Sequence, residues 1–383
     1  MTAKSKLKAG STSVLFGDVY SGSKVFVTGH TGFKGSWLCE WLLSLRSRVT
    51  GYSLPPPTQP SFFAQTGLEE RITHIEGDVR HAAKLAQAVH AAQPDFIFHL
   101  AAQPLVRESY RTPVETYETN VLGTVHLLEA ARALKKPCAV VCITSDKCYE
   151  NKEWVHGYRE EDPLGGYDPY SSSKAAAEIA IAAWRRSFFK NHPVKVSSAR
   201  AGNVIGGGDW AADRIVPDCV RALQNRRAIA VRNPRATRPW QHVLEPLSGY
   251  LWLAAAMAKP SLVRLEPDRL CGAFNFGPGH DANRRVAELV EEILKHWPGR
   301  WEDHSDTKAV HEANLLQLTT DKASALLGWS PARSFAESVR ETIEWYRAAH
   351  ADSSAATLRR LTLRQIAGFE SAARKGQAPW TRA

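Results

Sequence analysis

Residues 24–35 read KVFVTGHTGFKG. The first five form a short β-branched run stopped by glycine, the pattern of a strand. The next seven place glycines at 29, 32 and 35, which let a backbone turn tightly and approach an anion closely. Residues 33–47 then read as a helix, because Trp37, Leu38, Trp41, Leu42 and Leu45 fall on one face. A helix that starts at such a loop offers its free first-turn N–H groups to a phosphate. Strand, glycine loop and helix in this order predict the opening unit of an α/β, Rossmann-type doubly wound parallel sheet that binds a dinucleotide.

Reading outward, further strands are expected at 48–53 (RVTGYS), 72–77 (ITHIEG), 96–100 (FIFHL), 138–144 (CAVVCIT) and 194–199. The run at 138–144 is almost wholly apolar, as a central parallel strand buried on both faces should be. Helices are expected from Pro113, with Val114, Tyr117, Val121, Val125 and Leu128 on one stripe, and over 170–190. After Ala201 the alternation stops in a glycine-rich segment, 202–208. The expected division is an N-terminal extension at 1–23, a dinucleotide-binding domain at 24–201 with 240–258 packing back on it, a smaller C-terminal region at 202–351, and a basic tail at 352–383 holding one peripheral helix.

The chain has 383 residues, 44% hydrophobic and 23% charged, which argues against disorder, collagen and coiled coil. Its net charge of +10 raises the question of a polyanionic partner. Residues 1–24 carry +3 and residues 352–383 carry +4, while 221–238 alone hold six arginines and no acid. The surplus therefore lies in the termini and one local segment. No zinc spacing, helix-turn-helix signal or aromatic-interleaved basic strand accompanies it, so neither nucleic acid nor metal is expected as a partner. Cys39, Cys138, Cys142, Cys148, Cys219 and Cys271 contain no CxxC pair and read as free thiols of a reducing cytosol. No membrane span or exported leader is expected.

Two further segments carry chemistry. Tyr170 and Lys174 stand four apart on a predicted helix, hence on one face, where an ammonium favours phenolate and should lower the tyrosine pKa toward working pH. Thr144, Ser145, Asp146 and Lys147 close the apolar strand, at the end where open α/β sheets bind ligands. The second strand ends in Gly51-Tyr52-Ser53-Leu54, with no acid for a ribose and no cation for a 2′-phosphate, so NAD and NADP stay open there. Asp78 serves either the adenine end or the N-cap of the next helix.

The glycine loop, HLAAQ (99–103), Asn120, the serine-bearing strand end and YxxxK together resemble the extended short-chain dehydrogenase/reductase superfamily over about residues 24–345. Within it, GHTGFKGSWL (29–38), TSDKCYEN (144–151), LGGYDPYSSSK (164–174), GNVIGGGDWA (202–211) and RPWQHVLEPLSGYL (238–251) are similar to the CDP-glucose 4,6-dehydratase family.

The resemblance implies a lyase that uses NAD as an internal redox carrier: oxidation at C4 of a nucleotide hexose, loss of water across C5 and C6, and reduction at C6. It implies that Tyr170, supported by Lys174 and Ser145, takes the C4 hydroxyl proton. Related dehydratases use adjacent Asp and Glu for the elimination, whereas this chain has Asp146 and Lys147. Asp146 is assigned as acid and Lys147 as base of the C5 proton, with an ion pair between Lys147 and a carboxylate as the competing reading.

The same carry-over places Gly29, Thr31, Gly32, Phe33, Lys34 and Gly35 at the pyrophosphate, and Asp78 near the adenine. Leu100, Ala101 and Ala102 would lie along the dinucleotide, Asn120 would stabilise the active-site strand and helix, and Asn120, Tyr170 and Lys174 would complete the cofactor set. Asn203, Arg214, Arg238 and Asn275 would hold the nucleotide sugar in the 202–351 region. A homodimer paired through the helices of Asn120 and Tyr170, and a place in the deoxysugar biosynthesis of bacterial surface polysaccharide, including the O-antigen of lipopolysaccharide, are also implied. The competing enzymatic reading is a nucleotide-sugar 4-epimerase, which needs no acid/base pair for elimination. A catalytically idle NAD-binding or nucleic-acid-binding protein is the third.

Overall fold

The computed structural model describes residues 14–305 and 315–382. Residues 1–13 of the expected extension, 306–314 in the second region and 383 of the tail lie outside the described residues. At its centre is a seven-stranded sheet, parallel throughout. In chain order its first six strands are β1 (Lys24–Thr28), β2 (Arg48–Ser53), β3 (Thr73–Glu76), β4 (Phe96–His99), β5 (Cys138–Ile143) and β6 (Val194–Ala201). Across the sheet the order is Ala273–Phe276, β6, β5, β4, β1, β2, β3. The order reverses direction between β1 and β4, and such a switch point opens a crevice at the strands' C-terminal ends.

Every residue of β5 is buried, and alternate side chains serve opposite faces. Ala139, Val141 and Ile143 join one core, with α1 (Phe33–Ser44) and the helix Leu244–Ala258; Cys138, Val140 and Cys142 join the other, with Leu127, Leu128 and Ile181. The helix Leu244–Ala258 packs on β5 and β6, and the seventh strand also comes from beyond residue 202. The second region is thus woven into the first.

Three expectations are corrected. Residues 14–23 are no extension: Phe16 and Tyr20 are buried, and the Phe16 ring stacks on Trp380 at 4.8 Å between centroids. The tail helix, Ala355–Lys375, is not peripheral. It buries Leu358, Ile366 and Phe369 in the core that α1 shares, with Phe369 edge-on to Trp41, and Trp41 Nε1 donates to Glu370 at 2.9 Å. This second cover explains why α1 is buried nearly all round instead of along one stripe. Finally, the helix from Pro113 is interrupted: an α segment Pro113–Tyr117 passes through a π turn, Glu118–Leu122, into Gly123–Arg132. The wider turn breaks the 3.6 periodicity. Val114 and Tyr117 are therefore exposed, while Leu128 is buried.

Candidate active site

A cleft of about 1640 Å³ runs over the C-terminal ends of β1, β4 and β5 and under residues 202–217 and 230–240. A drug-sized ligand fills roughly 300–1,000 Å³, so two nucleotide-sized molecules fit here better than one. Gly29, Thr31, Gly32, Phe33, Lys34 and Gly35 line it at one end. Gly29 has φ +74°, and a Cβ there would lie 2.7 Å from the Ala101 nitrogen. A Cβ on Gly35 would lie 2.2 Å from the Gly29 carbonyl oxygen. Only glycine lets the loop close at these two points. Gly32 caps α1 without a side-chain hydrogen bond, leaving first-turn N–H groups for an anion. Thr31 Oγ1 instead fixes the loop to β2, meeting Ser53 Oγ at 2.8 Å and donating to the Leu54 carbonyl at 2.9 Å. This cradle and donor set fit a dinucleotide pyrophosphate.

Asp78, Leu100, Ala101 and Ala102 line the cleft beyond the loop. Asp78 does not cap the following helix, whose N-cap is His81. Its carboxylate accepts from the Arg80 backbone at 2.9 Å and Nε at 2.8 Å. Burial opposes its ionisation, but these bonds and the Arg80 charge hold the carboxyl below its ordinary range.

Ser145, Asp146 and Lys147 leave the end of β5, and Tyr170 and Lys174 face them from the helix Pro169–Phe188; all five line the cleft. Asp168 starts that helix by accepting from the Ser171 N–H at 2.9 Å, and Pro169 suits its first turn. Ser145 Oγ donates to Asp146 Oδ1 at 2.9 Å and accepts from the Lys147 N–H at 3.2 Å. Asp146 Oδ2 is buried without a partner among the described residues. Burial raises the Asp146 pKa above the ordinary carboxylate value, against the lowering influence of Lys147, Ser145 and Arg238. A raised pKa shifts the carboxyl toward the protonated form that an acid catalyst needs. Among the described residues no ion pair joins Lys147 to a carboxylate.

The expected lowering of the tyrosine pKa is reversed in this structure. Burial pushes Tyr170 up to about 12, and the Ser145 hydrogen bond and the Arg214 charge only partly oppose it. Burial likewise pushes Lys174 down to about 8, against the pull of Glu178. Lys34 is also lowered to about 8, by burial and then by Arg214 and Lys174, so three cations crowd the floor of the cleft. Arg214 ion-pairs with Asp209 at 3.0 Å. Arg238 and Asn203 also line the cleft.

The family model described as GDP-mannose 4,6 dehydratase matches residues 26–342. A CDP-glucose 4,6-dehydratase of Salmonella typhimurium is 46% identical over 340 residues, covering 86% of this chain and 92% of that protein. The chain belongs to this nucleotide-sugar dehydratase family. A dTDP-glucose 4,6-dehydratase of Shigella flexneri is 26% identical over 85% of this chain and 93% of its own length. Among solved structures, a Streptomyces venezuelae dTDP-glucose 4,6-dehydratase with NAD superposes with a TM-score of 0.72 at 24% identity, covering 85% of this chain and 98% of its own. MoeE5 in complex with UDP-glucuronic acid and NAD gives 0.69 at 25% identity over 85% and 99%.

Two of this dehydratase's expected contact residues stand elsewhere. Asn120 does not line the cleft. The π turn aims it inward, where Oδ1 accepts from the Gln103 N–H at 2.9 Å and Nδ2 donates to the Gln103 carbonyl at 3.1 Å and to Ser173 Oγ at 2.8 Å. It thus ties the loop after β4 to the Tyr170 helix. Asn275 is fully buried in the seventh strand, donating to the Tyr158 carbonyl at 2.9 Å and accepting from the Tyr149 hydroxyl at 2.8 Å. Conversely, Asp209, Glu178 and Arg200 escaped the sequence reading. Glu178 alone left a signal, standing four residues beyond Lys174 on the same helix face.

Proposed function

We propose that this protein is an NAD-dependent hydro-lyase that converts CDP-D-glucose to CDP-4-dehydro-6-deoxy-D-glucose. The observation that carries the reading is the adjacency of Asp146 and Lys147 to Tyr170 in one cleft, since a 4-epimerase needs the tyrosine but not an elimination pair. The 46% relative named a CDP-glucose 4,6-dehydratase supports the choice of nucleotide and sugar.

Residues 29–35, Asp78 and Leu100 to Ala102 hold the dinucleotide, with Asn120 acting behind them. When bound, it supplies two-electron redox chemistry, oxidation at C4 first and reduction at C6 last. Tyr170, entering as the phenolate that the Lys174 ammonium one turn away favours and Ser145 supports, takes the C4 hydroxyl proton. The resulting 4-ketone acidifies C5–H. The C5 proton passes to the amine nitrogen of Lys147, and Asp146 gives its proton to the C6 hydroxyl, which leaves as water. Asn203, Arg214 and Arg238 hold the nucleotide diphosphate, and arginine forks suit its oxygens.

The protein acts as a homodimer. Exposed Tyr110, Val114, Tyr117 and Leu122 on the helices before and through the π turn, with Ile179 and Phe188 on the Tyr170 helix, support that pairing. Six free thiols support a cytoplasmic setting, and no described helix is long and apolar enough to cross a membrane. The product class suits deoxysugar synthesis for surface polysaccharide such as the O-antigen. The deciding experiment incubates the protein and NAD with CDP-, UDP-, GDP- and dTDP-hexoses. A 4-keto-6-deoxy product from CDP-glucose is expected. A 4-epimer of the sugar nucleotide would replace this reading with the epimerase.

A further inference from the structure

Glu178 stands one turn beyond Lys174 on the helix Pro169–Phe188, so both project from one face. Its carboxylate is buried and receives donors from two strands: Thr144 Oγ1 on Oε1, and on Oε2 both Ser198 Oγ and the Arg200 guanidinium, each at 2.8 Å. Thr144 immediately precedes Ser145. Arg200 goes on to donate to the Tyr149 hydroxyl at 2.7 Å and to the Glu160 carbonyl at 2.9 Å. The Glu178 and Arg200 side chains are only 3% and 4% exposed. Desolvation at that depth largely cancels the attraction of an ion pair, so stability alone is a weak reason for one here.

Its neighbour gives a stronger reason. The Lys174 ammonium is buried, and the Glu178 charge is the largest influence holding its proton on. The other titratable groups around it are the Tyr170 phenol, the Cys142 and Cys148 thiols, His99 at the end of β4, and Lys34 on α1. Burial pushes both thiols up, so neither supplies a compensating anion at neutral pH.

We propose that Glu178 is a positioning residue, which locks the Tyr170–Lys174 helix to the strand end bearing Ser145 and keeps the Lys174 ammonium charged inside the protein. The chemistry that this ammonium serves rests on the dehydratase reading above.

The test uses the full chain with Glu178→Gln. The expected result is a fall in kcat on CDP-glucose of about tenfold or more with KM within about twofold. The alkaline limb of the kcat–pH profile should move to lower pH, and so should the titration of the Lys174 ε-carbon in ¹³C-lysine-labelled protein. The paired variant Thr144→Val with Ser198→Ala keeps the carboxylate and its charge; it should lower kcat and leave the Lys174 titration in place. A folded Glu178→Gln protein whose Lys174 titration is unmoved overturns the proposal, whatever its kcat. If Glu178→Gln does not fold, wild-type kcat in the paired variant overturns it. If the wild-type chain turns over no nucleotide hexose, the dehydratase reading fails, and the Lys174 titration still decides the part played by Glu178.

Discussion

A Cβ built on Gly202 would lie 2.8 Å from Oδ2 of Asp146, so the backbone leaving β6 forms a wall against the carboxylate delivered by β5. The same Cβ would lie 3.3 Å from the Pro239 ring, which closes the other side. Gly202→Ala must therefore displace the carboxylate. Misplacing a reacting group by 1 Å costs about 10²-fold, and a shift of a few tenths should lower kcat about tenfold while the fold survives. Turnover measured beside thermal unfolding checks this; wild-type kcat in the variant would show that the wall has no part in aiming Asp146.

The proposed elimination pair, Asp146 and Lys147, should separate in heavy water. In Asp146→Asn the 4-ketone still forms and C5–H still exchanges with solvent, while release of water slows by about 10²–10⁴-fold, the usual share of one acid catalyst. In Lys147→Met both exchange and product formation are lost. Mass spectrometry of deuterium at C5 reads both, and exchange at the normal rate in Lys147→Met would remove the base role.

Glu245 makes stability depend on pH. It is buried in the helix Leu244–Ala258 and accepts from the N–H groups of Ala332, at 3.0 Å, and Arg333, at 2.6 Å. Burial pushes its pKa from 4.5 up to about 8, and the nearby Glu341 adds to this. Between those two values the folded state binds the proton more firmly than the unfolded chain does. Stability from this group is thus full below about 4.5 and declines as pH rises through about 8. Glu245→Gln, whose amide oxygen can still accept, should flatten that decline in Tm between mildly acidic and mildly alkaline buffer. An unchanged slope would assign the pH dependence to other groups.

The C-terminal helix belongs to the core. Phe369 is fully buried against Trp41 and stacked with Trp380. Phe369→Ala should cost about 3–5 kcal/mol in urea unfolding, whereas Arg359→Ala on the exposed face of the same helix should stay within about 0.5 kcal/mol. Equal effects would mean that the helix contributes little through packing.

The exposed apolar residues give the proposed dimer a direct test. Leu122 and Ile179 are 49% and 58% exposed on neighbouring helices. Leu122→Glu with Ile179→Glu should convert the dimer to monomer in sedimentation, because charge at a packed apolar contact leaves it desolvated and unpaired. A wild-type monomer, or a variant that stays dimeric, would place the interface elsewhere or remove it.

How far the sequence reached can be judged element by element. KVFVT and CAVVCIT specified their strands because an unbroken apolar, β-branched run is a local property, and GHTGFKG specified its turn because only glycine closes at 29 and 35. The YxxxK spacing likewise placed Tyr170 and Lys174 on one face. The stripe from Val114 to Leu128 misled, because a π turn shifts the register midway. Asn120 and Asn275 were displaced from the cleft for a similar reason: their partners, Gln103 and Ser173, or Tyr149 and Tyr158, are set by how loops and strands meet.

By itself, then, the sequence determined the parallel sheet, the phosphate loop and the residues gathered at the end of β5, since each follows from short-range spacing and backbone sterics. Only the tertiary structure decided the Glu178–Arg200 pair behind Lys174, the wall at Gly202 and the packing of Phe16 and Phe369 on Trp41 of α1. These depend on groups far apart in the chain, and the low-dielectric interior that raises Asp146 and Tyr170 exists only once those groups have packed.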